Sequence, residues 1–300
     1  MKKINKIIKD IKEIKIQGAK HIAEAGLNAL RLVIKESKNS NSLNQNIKKT
    51  RNLLLKARPT EPFLRNSMNY VLNNLELKDV SQLKHFLNIK IDHALEHMYF
   101  SDHKISEIVN NKIKNGMTVL THCHSSAVVH ALIEAKKYGK NFEVYCTETR
   151  PKFQGRITAK ELLKHKIKVT MFVDSGARIA LKDSDLFLFG ADAITSEGKV
   201  INKIGTELIC EKATDYNVLN YSCTDSWKFD PKSIFGFEED VERRTGKEIW
   251  KNHPKGLKFS NYAFEMIAPE VMNGVITELG VYSSEILVQE LKRKYKWMFI

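Results

Sequence analysis

The sequence predicts an α/β protein: an N-terminal all-helical domain followed by a domain built on a mostly parallel sheet. Three observations carry this. Residues 1 to about 112 show only helical periodicity. From Asn115-Gly116 onward, short apolar runs alternate with helical patterns, as in a sheet covered on both faces. The polar clusters of the second part fall where its apolar runs end, which is where ligands bind in open parallel sheets. The expected division is 1–114 and 115–300.

In the first part Ile4, Ile7, Ile8, Ile11 and Ile14 share one helical face. A second helix is expected from about Lys20 to Glu36, ending in the polar stretch SKNSNSLNQN. A third runs from about Gln45 to Ala57 and is stopped by Arg58-Pro59, because proline disfavours helical backbone in the residue before it. Two more follow near Glu61–Leu75 and Val80–Lys114, the latter with a candidate break near Ser101.

In the second part MTVLT (117–121) precedes a helix near Ser126–Tyr138, and FEVYCT (142–147) one near Thr158–Lys164. IKVTMFV (167–173) precedes Ser175–Lys182, and DLFLFGAD (185–192) a turn and a helix near Gly205–Tyr216. NVLNYSC (217–223) and GVITELG (274–280) are two further strand patterns, and residues 283–295 form a closing helix. The stretch from about Lys228 to Ser260 is polar and irregular, an insertion or arm.

Composition sets limits. The 300 residues are 42% hydrophobic and 28% charged, enough apolar material for a sizeable core. No run approaches the roughly 18 apolar residues of a membrane span. The N-terminal MKKINKIIKDIKEIKI places isoleucines between charges, so a signal peptide is not expected. Cys123, Cys146, Cys210 and Cys223 form no CxxC pair, which points to free thiols in a reducing cytoplasm. The net charge of +14 suits nucleic acid or a small polyanion such as a phosphorylated sugar. The basic residues are spread along the chain without an RNA-binding aromatic motif or zinc finger, so nucleic acid is the weaker expectation. No GxGxxG and no phosphate-binding loop of the Walker type occurs.

The strand-end clusters are His122-Cys123-His124-Ser125, Thr147-Glu148-Thr149-Arg150, Asp174-Ser175 and Gly190-Ala191-Asp192. Cys123 lies between a strand and a helix, where backbone amides and the flanking histidines favour thiolate; the alternative is a buried, inert cysteine. Asp192 directly follows LFLF, so desolvation would make it a proton donor; the alternative is a cap or turn residue. His122 and His124 have the spacing of two metal ligands on one strand face, but no further Cys/His cluster completes a site, and no metal is expected. Arg58, Arg150, Arg156, Lys203 and Lys228 could hold phosphate, each with an ordinary surface role as the alternative. Gly18-Ala19, ahead of a helix, offers amides to an anion or is a plain helix start.

Eight segments in one order then bear a resemblance. They are IQGAKHIAEA (16–25), ARPTEPFLRN (57–66), THCHSSAV (121–128), TETRPKFQGRITAKEL (147–162), FVDSGARIALK (172–182), GADAITSEGKVINKIGT (190–206), WKFDP (227–231) and NYAFEMIAPEVMNGVITELGV (261–281). The chain resembles the superfamily of ribose-1,5-bisphosphate isomerases, methylthioribose-1-phosphate isomerases and initiation factor 2B regulatory subunits, over nearly its whole length. The resemblance implies a helical domain joined to a Rossmann-like domain. It implies an aldose–ketose isomerase that makes ribulose 1,5-bisphosphate from ribose 1,5-bisphosphate in AMP degradation, without metal or cofactor, as a cytoplasmic homo-oligomer (dimer or hexamer). It carries the catalytic pair onto Cys123 as base and Asp192 as acid. Substrate positions fall on Gln17, Gly18, Ala19, Lys20, Arg58, Ser125, Ser126, Ala127, Asn202, Lys203 and Lys228. One departure stands out: where the superfamily usually reads Arg-Gly-Ala-Gly, this chain reads Gln17-Gly18-Ala19-Lys20. Three other readings compete: a non-catalytic regulatory subunit, for which neither Cys123 nor Asp192 is needed; a methylthioribose-1-phosphate isomerase, whose pocket must take an apolar group; and a nucleic-acid-binding protein, which rests on charge alone.

Overall fold

The computed structural model describes residues 2–73, 79–236 and 242–299. The chain divides into two compact units, at residues 1–100 with 227–229 and 291–300, and at 101–226 with 230–290. The change of pattern at Asn115 marks where the strands begin, whereas the units divide earlier, between Phe100 and Ser101, inside one helix.

The first unit holds α1 (Lys2–Lys12), α2 (Ala19–Glu36), α3 (Ser40–Ala57), α4 (Pro62–Leu72) and the N-terminal half of α5 (Val80–Lys112). Local chemistry sets the helix starts. Asn39 and Ser42 cap α3 reciprocally, each side chain accepting from the other's amide. Pro62 opens α4, where its missing N–H is no loss. Ile4 and Ile11 of α1 are buried as the periodicity implies, but α1 ends at Lys12 and Ile14 lies beyond it at φ 58°. No break occurs in α5 at Ser101. The core joins Leu27 and Leu30 of α2, Leu43 and Leu54 of α3, and Phe63, Leu64 and Met68 of α4. Two later segments return to it, among them the strap Trp227–Phe229. Asn66, fully buried, holds this strap by donating to the carbonyls of Trp227 at 2.8 Å and Phe229 at 2.7 Å.

The second unit is a seven-stranded sheet with helices: β1 (Thr118–Thr121), α6 (Ser126–Lys137), β2 (Glu143–Thr147), α7 (Gln154–Lys164), β3 (Lys168–Phe172), α8 (Ala177–Lys182) and β4 (Leu186–Phe189). A two-residue β5 (Ala193–Ile194) and β6 (Val200–Lys203) precede α9 (Thr206–Asp215), β7 (Leu219–Cys223), β8 (Phe264–Ile267), β9 (Gly274–Thr277), β10 (Gly280–Tyr282) and α10 (Ser284–Lys294). The order is β10-β9-β7-β4-β1-β2-β3. All pairs are parallel except β9–β10, a hairpin the sequence pattern reads as one strand. The fully apolar LFLF of β4 and the buried TVLT of β1 sit at the centre, as strands covered on both faces require.

A second sheet, β5-β6-β8, is antiparallel and lies outside the sequence expectations. Its strands are two to four residues long, too short for a periodicity to register. Among its described residues, the polar stretch after Lys228 carries only 3₁₀ turns at Pro231–Phe235 and Gly246–Glu248 and an isolated bridge between Arg243 and Tyr262. Residues 237–241 of that stretch lie outside the described residues.

Asn66→Ala leaves two buried carbonyls of the Trp227–Phe229 strap without their donor. The expected loss is about 2–4 kcal/mol of stability, read as a lower urea midpoint. An unchanged midpoint would mean that other contacts of the strap hold it without Asn66.

Candidate active site

The strand order reverses between β1 and β4. From β1 the chain winds outward to β2 and β3, and from β4 the opposite way to β7 and β9. Such a reversal opens a crevice beyond the carboxyl ends of the two central strands. Cys123 comes just after β1, and Asp192 just after β4. Gly190 allows the two segments to meet, because a Cβ there would lie 2.6 Å from Ser125 Oγ. Gly155 does the same for α7, where a Cβ would lie 1.8 Å from the Thr147 carbonyl oxygen.

Cys123 has a left-handed backbone, with φ 69°. Its N–H donates to Thr149 Oγ1 at 3.0 Å, and its carbonyl accepts from Thr158 Oγ1 at 2.9 Å. Thr149 is itself left-handed, with φ 62°, and its N–H donates to Asp174 Oδ1 at 2.7 Å. Asp174 Oδ2 takes the Arg150 amide at 2.6 Å. The expected convergence of four strand-end clusters is thus present as connected hydrogen bonds and close packing.

His122 is buried, and its Nε2 lies 3.0 Å from the Ile204 carbonyl. A carbonyl only accepts, so Nε2 carries the proton and Nδ1 accepts from the Thr147 hydroxyl. Burial foremost, with Lys203 adding to it, pushes the His122 pKa down, so the ring is neutral. His122 and His124 do not form a ligand pair on one strand face. The left-handed residue between them breaks the alternation, and His124 Nδ1 instead lies 3.0 Å from Thr158 Oγ1.

The Cys123 thiol is pushed up to about 11, chiefly by burial. Lys203 and a hydrogen bond from the His124 backbone amide oppose the rise, while Asp192 and Asp174 add to it. Of the two alternatives left open by the sequence, the raised thiol fits the buried one: the neighbouring His122 is uncharged and burial outweighs the helix N-terminus. Cys146 and Cys223 are also raised, to about 11 and about 12, by burial.

Asp192 is half-buried, and its N–H donates to the Ile201 carbonyl at 2.8 Å, which sets it against β6. That strand ends in Asn202 and Lys203, each only 5% exposed. Asn202 Nδ2 donates to Thr206 Oγ1 at 3.1 Å, and Lys203 Nζ stands 4.6 Å from the centre of the Phe264 ring. A lysine is rarely buried so fully, and its field reaches both Cys123 and His122. Ser125 caps α6 by accepting from the Val128 amide at 3.4 Å, so Ser126 and Ala127 open that helix at its positive end. Glu265 accepts from the Glu207 amide at 2.8 Å, and the Gly205 and Thr206 amides also point to it. It thereby fills the N-terminus of α9 with a carboxylate whose pKa burial raises.

Arg150 and Arg156 both have partners away from Cys123. Arg156 pairs with Glu148 at 2.8 Å and lies 3.6 Å from the centre of the Phe153 ring. Arg150 donates to the Ile249 carbonyl at 2.9 Å. Sequence reasoning missed the role of Thr158, hidden inside a helical pattern, and of Glu265, which belongs to the second sheet.

The remaining expected residues belong to the helical unit. Gly18 caps α2 at φ 83°, and the exposed Gln17 donates from Nε2 to the Ile14 carbonyl at 2.9 Å. Ala19 is buried, and Lys20 Nζ lies 4.7 Å from the centre of the Tyr99 ring. Arg58 ends α3 and pairs with buried Glu61 at 2.7 Å. Lys228 lies on the strap, its Nζ 6.0 Å from the centre of the Phe63 ring.

The model of the Initiation factor 2 subunit family matches residues 15–284. A ribose 1,5-bisphosphate isomerase of Thermococcus kodakarensis is 34% identical, over 99% of this chain and 96% of that protein. The ribose 1,5-bisphosphate isomerase of Pyrococcus furiosus is also 34% identical, over 100% of this chain and 96% of its own length. Among solved structures, the translation initiation factor eIF-2B of Pyrococcus horikoshii superposes with a TM-score of 0.82 at 24% identity, covering 93% of this chain and 96% of that one.

Because the thiolate is the alkylated species, the rate at which iodoacetamide modifies Cys123 is expected to climb with pH toward a midpoint near 11. Lys203→Met removes the cation that favours thiolate and should move the midpoint higher. A midpoint near 8 in the native protein, or no shift in the variant, would contradict this electrostatic picture.

Proposed function

We propose that this chain, which belongs to the Initiation factor 2 subunit family, is an aldose–ketose isomerase that converts ribose 1,5-bisphosphate to ribulose 1,5-bisphosphate. The observation that carries the reading is the placement of Cys123 and Asp192 after neighbouring strands at the strand-order reversal, with buried Lys203 acting on the sulfur. The chain's likeness to named ribose 1,5-bisphosphate isomerases over its whole length supports the substrate.

The reaction needs one acid and one base. The acid gives a proton to the ring oxygen, and the bond from C1 to that oxygen breaks. The base takes the hydrogen from C2 as a proton, leaving an enol between C1 and C2. The base then returns a proton to C1, and the acid recovers one from the C2 hydroxyl, which becomes the ketone. Both groups end as they began, and no electron leaves the sugar. In this reading Asp192 is the acid and Cys123 the base. The resting sulfur is a thiol, so it must first release its proton to water before it can accept the one from C2, and Lys203 stabilises the thiolate left behind.

Two phosphates need donors at both ends of the sugar. In the α/β unit these are the opening residues of α6, Ser125, Ser126 and Ala127, with Asn202 and Lys203. Gln17, Gly18, Ala19, Lys20, Arg58 and Lys228 are proposed as substrate ligands on the resemblance alone. Without the usual arginine, the charge of the first of these segments rests on Lys20. Among the described residues no helix is long and apolar enough to cross a membrane. A cytoplasmic location and a homo-oligomer, dimer or hexamer, belong to the same proposal.

Purified protein incubated with ribose 1,5-bisphosphate should yield ribulose 1,5-bisphosphate by NMR. Cys123→Ser should abolish turnover without loss of fold, and Asp192→Asn should lower kcat by about 10²–10⁴. Dialysis against a strong chelator should leave activity intact. No product from the native protein, or normal kcat in either variant, would overturn the assignment; activity lost to chelation and restored by zinc would overturn the metal-free chemistry.

A further inference from the structure

Cys123 carries a Cβ yet keeps a left-handed backbone, a conformation that costs about 1–2 kcal/mol outside glycine. Such a residue persists only where its surroundings over-determine it. Here two hydroxyls grip it from different elements. Thr149, just after β2, accepts the Cys123 N–H at 3.0 Å, and Thr158, inside α7, donates to its carbonyl at 2.9 Å. Both are buried, at 0% and 1% exposure. Each is fixed in turn: Thr149 by Asp174 through its amide, and Thr158 by His124 Nδ1 at 3.0 Å. The left-handed turn also directs the next amide, that of His124, back onto the Cys123 sulfur. An amide so placed stabilises a thiolate more than a thiol.

We propose that Thr149 and Thr158 are positioning residues, a two-hydroxyl clamp that holds the Cys123 backbone left-handed so that the His124 amide faces the sulfur as it loses its proton. The proposal rests on the reading of Cys123 as the base. Neither threonine touches the sugar in it. Both act through the cysteine, so their loss should change how the sulfur ionises and reacts, and leave substrate binding alone.

The test separates the hydroxyl from the methyl group. Thr158→Val keeps shape and burial but cannot donate; Thr158→Ser keeps the donor. The charged and titratable groups around the sulfur, Lys203, Asp192, Asp174, His122 and His124, are the same in both. Iodoacetamide alkylation of Cys123 against pH, followed by mass spectrometry, reads the thiol without any substrate. Thr158→Val should shift the alkylation midpoint upward by about one pH unit and lower kcat by about 10–100-fold, with KM within about twofold of native. Thr158→Ser should restore both. Thr149→Val, which removes the acceptor of the Cys123 N–H, should repeat the effect from the other side, and it carries the comparison if Thr158→Val melts early. A native alkylation profile in either folded valine variant would overturn the proposal. So would a serine variant as impaired as the valine one, or collapse of both valine variants, which would make the threonines parts of the core rather than settings of the thiol. If native protein fails to turn over ribose 1,5-bisphosphate while the alkylation shifts appear as expected, the clamp stands and the assigned reaction falls.

Discussion

A cysteine held at φ 69° between a buried strand and a helix is the constraint on which the α/β unit's site depends. Had β1 simply run on, His122, Cys123 and His124 would alternate across the sheet and the sulfur would face a packed layer. The left-handed turn instead ends the strand and frees Ser125 to cap α6. It also sends His122 inward, where its two ring nitrogens bridge Thr147, at the end of β2, and Ile204, just past β6. One local backbone choice therefore ties together three strands, a helix start and the buried lysine next to Ile204.

Electrostatics follow from that packing. Enclosing the sulfur raises its pKa more than nearby positive groups lower it. The same enclosure makes those positive groups effective, because charges act more strongly away from water. Lys203 is held against Phe264 by the short antiparallel sheet, so the cation is fixed by a fold element and not by its own flexible stem. The site thus holds a protonated sulfur beside a cation that stabilises the thiolate once the proton has left. A group that must take one proton and give it back in each cycle is suited by such a balance.

Much of this was legible in the sequence. The helical first part, the strand–helix alternation and the polar clusters at strand ends were readable because buried strands such as LFLF and TVLT are short, unbroken and bounded by turn residues. The expected residues Cys123, Ser125, Asp192, Asn202 and Lys203 lie in one connected region of the α/β unit. What the sequence concealed has physical reasons. β5, β6 and β8 are too short to show a period, so the burial of Lys203 could not be foreseen. The sequence leaves the ionisation of Cys123 open between two readings, because adjacent histidines and a helix start are visible in a string of letters, whereas enclosure is not. Thr158 looks like any helix residue until its hydroxyl is seen on the Cys123 carbonyl. Ile14 keeps the helical spacing although the helix has already ended, because spacing alone does not register a terminus.

If the sulfur of Cys123 is the group that carries hydrogen from C2 to C1, that hydrogen spends part of each cycle as a thiol proton, and thiol protons exchange with solvent. The most direct measurement is the turnover of ribose 1,5-bisphosphate in D₂O, with the ribulose 1,5-bisphosphate product read by NMR. Deuterium is expected at C1 of the product, in one of the two C1 positions only, because a single fixed group delivers it. Complete retention of the substrate's own C2 hydrogen at C1, with no solvent deuterium, would contradict a base whose proton exchanges with solvent, and is the result expected of direct hydride transfer between the two carbons.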